Sequence, residues 1–130
     1  MKNIFIKPED NLKDALHKLS VEGEKCLIVI KNNSKEIFGT LSDGDIRKAI
    51  LKNFDLSQTI ENIFKKNPYY LHYNHYSKDE ASKLFLDHKI DLIPIVNQRL
   101  EVIDYISWND FFGQSKIKVQ IDLPVIIMAG

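Results

Sequence analysis

An internal repeat constrains this 130-residue sequence more than any other feature. In the first copy, EDNLKDALHKLS places Leu12, Ala15, Leu16 and Leu19 at helical spacing, with Asp10 or Asn11 as the cap. CLIVI is a short, continuous, β-branched run, the pattern of a strand buried on both faces. KNNSKE then reads as a polar turn, EIFGTL as a second strand, and SDGDIRKAILKN as a second helix turning Ile46, Ala49 and Ile50 inward. The second copy follows in the same order. HYSKDEASKLFLDHKI carries Ala81, Leu84, Phe85 and His88 at helical spacing, with Ser77 and Glu80 spaced as a capping box. LIPIV is the strand, NQR the turn, LEVIDYI the second strand, and SWNDFF opens the second helix. Ala15 answers Ala81 at 66 residues, whereas Ser42 and Asp45 answer Ser107 and Asp110 at 65. The lost residue falls in the turn, where a duplicated unit tolerates length change.

Units of about 60 residues are marginal alone, so the two are expected to pack on each other as one pseudo-twofold α/β (α+β) body. The expected boundaries are 1–66 and 67–112, joined at Asn67-Pro68, because a residue before proline leaves the helical region. Eighteen basic and eighteen acidic side chains cancel, which removes the basic excess needed for non-specific nucleic-acid or anionic-membrane binding. A single phosphorylated small molecule needs only a local donor cluster and stays open. No run approaches a membrane span and MKNIFIKPEDN lacks a signal-peptide core, so cytoplasm is the expected location. Cys26, the one cysteine, lies inside CLIVI and is expected as a buried thiol.

The junction GTLSDGDIRKAI carries the chemistry. Ser42 and Asp45 suit a helix cap, a serine accepting from the third N–H and an acid reaching back. A helix N-terminus also favours anions. Gly39 would let a ligand approach the backbone, Asp45 would suit a ribose diol, and Arg47 would offer a bidentate phosphate contact. Cap and ligand site are compatible. Elsewhere, His72 and His75 lack a third metal ligand nearby, and Asp43 reads as an acid of the first helical turn, so no metal site and no catalytic residues are expected.

These residues resemble a known family. A strand followed by Gly39, Leu41, Ser42 and Asp45, with LIPIV and its Pro94 in the second copy, is similar to the cystathionine β-synthase (CBS) domain, and the two copies to a CBS pair, or Bateman module, over roughly residues 3–113. The resemblance implies two βαββα units with clefts that take adenosyl ligands such as AMP, ADP or ATP. Asp45 and Asp110 would hold ribose hydroxyls, Ser42 and Ser107 ribose or phosphate, and Ile28 and Pro94 would lie near the base. Asp104 stands where the first copy has Gly39, so its carboxylate is expected to enter the second site and disfavour an anion, leaving Ser42 and Asp45 as the preferred site.

Residues 113–130 belong to neither copy: GQSKIKVQ is expected as a linker and VIIM as a strand. PVIIMAG is similar to the opening of sugar-phosphate nucleotidyltransferases, some of which carry a CBS pair ahead of the catalytic domain. The expectation is therefore a non-catalytic regulatory module, a homodimer that acts on its own catalytic domain. Two alternatives are a structural module that binds no nucleotide and the CBS pair of a sugar-phosphate isomerase, since SDGDIR is similar to the TDGDLR of those enzymes.

Overall fold

The computed structural model describes residues 3–31 and 34–113. The first unit runs β1 (Phe5–Ile6), α1 (Leu12–Glu22), β2 (Cys26–Ile30), β3 (Ile37–Ser42) and α2 (Asp43–Leu51), and a short β4 (Lys65–Lys66) follows. The second runs β5 (Leu71–His72), α3 (Lys78–His88), β6 (Leu92–Val96) and β7 (Val102–Ser107), with residues 108–113 helical after it. Each unit is thus βαββα. The sheets are ordered β1-β2-β3-β4 and β5-β6-β7, with β2 and β6 parallel to the short entry strand and antiparallel to the strand that follows.

Local chemistry explains the elements. Asn11 caps α1, Ser42 α2 and Ser77 α3, each through a box closed in both directions. Gly23 ends α1 in the left-handed region, its N–H donating to the Leu19 carbonyl at 2.9 Å. Asn67 also takes a positive φ, 61°, so the residue before Pro68 leaves the right-handed helical region by the left-handed route that asparagine tolerates. Every residue of β2 and of β6 is buried, as a strand between two neighbours with covered faces requires. In α2, Ile46 and Ala49 face inward but Ile50 does not; it is 46% exposed, because the inward stripe of this nine-residue helix is already filled by the other two.

The repeat is fused by shared burial. Leu92, Val96 and Val102 of the second unit belong to the same apolar cluster as Leu27, Ile28 and Leu41 of the first. The β3 and β7 strands meet at their N-terminal ends: Ile37 N–H donates to the Leu100 carbonyl and Val102 N–H to the Lys35 carbonyl, both at 2.8 Å. A second, smaller cluster forms around Phe85, whose ring meets those of Trp108, Phe111 and Phe112 at 5.3–5.7 Å. Gly113, expected as linker, is still helical, while the expected linker from 114 and the VIIM strand lie outside the described residues.

Candidate functional site

Two clefts lie where the units meet. The first, about 190 Å³, is lined from the first unit by Cys26, Thr40, Ser42, Asp45 and Lys65 and by Tyr69, and from the second by the stretch 89–92. The second, about 520 Å³, is lined by Ser107, Trp108 and Asn109, by Gly23, Glu24 and Lys25 of the first unit, and again by Lys89, Ile90 and Asp91.

In the first cleft the end of β3 delivers Ser42 and the first turn of α2 delivers Asp45. Ser42 Oγ accepts from Asp45 N–H at 3.1 Å, and Asp45 Oδ2 accepts from Ser42 N–H at 3.1 Å. The Asp43 N–H goes to the Lys25 carbonyl at 2.8 Å, tying the start of α2 to the entry of β2. The capping box therefore satisfies itself within the chain. A carboxylate offers roughly four acceptor positions, so one bond to Ser42 leaves Asp45 able to accept from a ligand while it caps.

Burial, reinforced by Asp91 and Asp45, pushes the Cys26 thiol well above its ordinary range, so it stays neutral. Asp91 is also raised, first by burial and then by Asp43, with Lys25 opposing. The cations of the cleft are Lys65 and Lys89, both exposed. Lys65 Nζ lies over the Tyr69 ring, 4.6 Å from its centroid, and that ring stacks on His88 at 4.0 Å. His88 is thereby a stacking partner, and no cluster of three metal-ligating side chains occurs among the described residues.

The structure places the other expected residues differently from Ser42 and Asp45. Gly39 does not open the backbone to a ligand: a Cβ there would meet the Lys65 carbonyl oxygen and lie within 2.7 Å of Phe64 Cε2, so the chain itself makes the close approach. Arg47 does not face the cleft; it is exposed and pairs with Asp43 at 2.8 Å along the outside of α2. Ile28 and Pro94 are buried inside their sheets and line neither cleft. Ser107 lines the second cleft, but Asp110 is exposed and does not; only the bond from its N–H to Ser107 Oγ, 3.1 Å, is formed. Asp104 is exposed and its Oδ1 accepts from the Tyr105 N–H at 2.8 Å, so its carboxylate stays outside the second cleft, which is the roomier of the two.

Sequence reasoning missed Lys65, Tyr69, Lys89 and Asp91. The first two follow the first unit's second helix, in a stretch with no helical or alternating pattern. Lys89 and Asp91 are placed only by docking of the units. Lys89 left one signal, its position 66 residues after Gly23 at the end of the equivalent helix.

Residues 1–52 match the model of the CBS domain family. Among curated proteins, the chain is 32% identical over 99 residues to an uncharacterized protein of Helicobacter pylori strain J99, covering 76% of this chain and 30% of that one. It is 24% identical over 111 residues to the arabinose 5-phosphate isomerase KdsD of Francisella tularensis, covering 82% and 32%. The chain thus spans about a third of the length of these relatives. Among solved structures, a CBS domain protein from Pyrobaculum aerophilum complexed with AMP matches with a TM-score of 0.78 at 16% identity over 93% of this chain and 92% of that one. A CBS domain pair in complex with 5-methylthioadenosine and S-adenosyl-L-methionine matches with a TM-score of 0.79 at 19% identity over 91% of each. Residues 1–52 carry the sequence pattern of a CBS domain, and the described residues are folded as a tandem CBS-domain pair.

Proposed function

We propose that this module is a regulatory sensor of an adenosyl ligand, AMP or a related adenine nucleotide, bound in the cleft of Ser42 and Asp45. The observation that carries the reading is the convergence, in one interunit cleft, of two hydroxyls, two carboxylates, two lysines and an aromatic ring. Asp45 would accept from ribose hydroxyls, Ser42 and the lysines would take phosphate, and Tyr69 would offer apolar contact to the base. Similarly folded pairs crystallised with AMP and with S-adenosyl-L-methionine support the ligand class. The cleft is narrower than the roughly 300–1,000 Å³ of an ordinary ligand pocket. Its lysine walls are exposed, and exposed side chains change rotamer within nanoseconds.

Because the cleft is built from both units, a ligand that prefers one arrangement of the pair shifts the equilibrium between arrangements. We assign that output to a sugar-phosphate nucleotidyltransferase domain after Gly130, on the strength of PVIIMAG, with the module working as a homodimer in the cytoplasm. The isomerase reading has two observations in its favour, the likeness of SDGDIR to TDGDLR and the similarity to KdsD. A glycine-rich loop in the reading frame beyond Gly130 would support the nucleotidyltransferase; its absence would favour the isomerase.

The competing class is a module that binds no nucleotide, favoured by the closed box of Ser42 and Asp45, which needs no ligand to be satisfied. Isothermal titration with AMP, ADP, ATP, GMP and CMP, repeated on Asp45→Ala, separates the two. Saturable adenine-nucleotide binding lost in the variant supports the sensor. No heat with any of them leaves a scaffold.

A further inference from the structure

We propose that the two clefts compete for one cation, Lys89, so that each chain holds a single phosphorylated ligand at a time. The inference rests on the nucleotide-binding reading and adds its stoichiometry and coupling.

The segment 89–91 is the wall between the clefts, and Lys89 and Asp91 line both. The remaining charges divide evenly. Asp45 and Lys65 belong to the first cleft, Glu24 and Lys25 to the second. With Lys89 counted, each cleft is neutral. Once an anion in one cleft has engaged Lys89, the other is left with two carboxylates against one lysine, a net negative site. An incoming phosphate there meets like charge at short range, in surroundings less polar than water, where such repulsion is strong. In the first cleft the loss is sharper, because Lys65 already lies over the Tyr69 ring.

The backbone points to the same residue. Lys89 closes α3 at φ 50°, ψ 43°, in the left-handed region, where its counterpart in the first unit is Gly23 at φ 69°. Glycine adopts this conformation without cost, whereas a side chain pays for it. A lysine in a conformation that favours glycine, on the wall common to both clefts, is backbone strain at the proposed site. The first unit has no such cation at its helix end, so the pair has one shared lysine instead of two.

The test is the stoichiometry and affinity of AMP and of adenosine, which has the same base and ribose without the phosphate, on the intact chain. It is repeated on Lys89→Gln, which keeps the bulk, and Lys89→Gly, which suits the backbone. One AMP per chain is expected, with any second at least tenfold weaker, while adenosine is not held to one. Both variants should lose about tenfold in AMP affinity with adenosine unchanged, and Lys89→Gly should melt no lower than the parent. Two AMP of equal affinity, or unchanged AMP affinity in both variants, overturns the shared cation and leaves the nucleotide reading standing. No binding of either ligand to the parent overturns both.

Discussion

The two Ser-x-x-Asp junctions share spacing, strand register and one cap bond, yet they occupy different surroundings. At the first, the box is closed in both directions and Asp45 lines a cleft. At the second, Ser107 is buried and caps Asp110 N–H, but the Asp110 carboxylate is exposed and outside the cleft. The difference begins on the outer edge of the strand that precedes each motif. β4 and Phe64 lie on Gly39, whereas its counterpart Asp104 is exposed and bonds its own neighbour. Duplicated residues keep their geometry and acquire different jobs from what packs against them.

The largest contrast is between the cores. The first unit spreads its burial over many aliphatic side chains, while the second gathers three rings around Phe85, which is fully buried. Phe85→Ala should cost about 4 kcal/mol, and Ile28→Val only about 1, because the cost follows the cavity left behind. Urea unfolding measures both. Equal losses would mean that Phe85 does not carry the second core.

Gly39 and Asp104 come next. Gly39→Ala drives a Cβ into the Lys65 carbonyl and the Phe64 ring, and overpacking of this kind costs about 1–3 kcal/mol. Asp104→Ala, at an exposed position, should stay within about 0.5 kcal/mol. If Gly39→Ala unfolds at the parent's urea midpoint, β4 does not depend on that contact. The cap pair follows: Asp45→Ala should lose about 1 kcal/mol, as one side of a closed box, and Asp110→Ala only a few tenths. Comparable losses would show that the second box closes in solution.

The elements that were legible in the sequence are those whose pattern is local. CLIVI and LIPIV became β2 and β6 without a shifted residue, and Ser42 and Ser77 capped the helices they precede. The entry strands β1 and β5 and the added β4 have two residues each, too short for any periodicity to register. Ser42 and Asp45 were found because a strand-to-helix junction is written in consecutive residues. Lys89 and Asp91 were missed because their proximity to that junction exists only once the units dock. Arg47 lies one helical turn from Asp43, and the structure pairs the two on the outside of α2.

The smallest expected effect tests the seam between the units. Tyr105 stands opposite Pro94 in the sheet, as Thr40 stands opposite Ile28, but where Thr40 lines the first cleft, the Tyr105 hydroxyl donates to Glu24 Oε2 at 3.3 Å across the pair. Burial, and then the charge and hydrogen bond of Glu24, push this phenol up to about 12 from 10.0. The folded chain therefore holds a proton that the unfolded chain releases between those values, so stability falls as pH rises through the window. The contribution is complete below pH 10 and gone above about 12. Tyr105→Phe removes this slope and, at neutral pH, costs roughly 0.5 kcal/mol for one long hydrogen bond. The check is the difference in unfolding free energy between parent and variant from neutral pH to pH 12, with phenolate absorbance followed in parallel. A difference that stays flat across the window would mean that the tyrosine is neither buried at the seam nor held by Glu24, leaving the apolar core and the β3–β7 junction as the main contacts between the units.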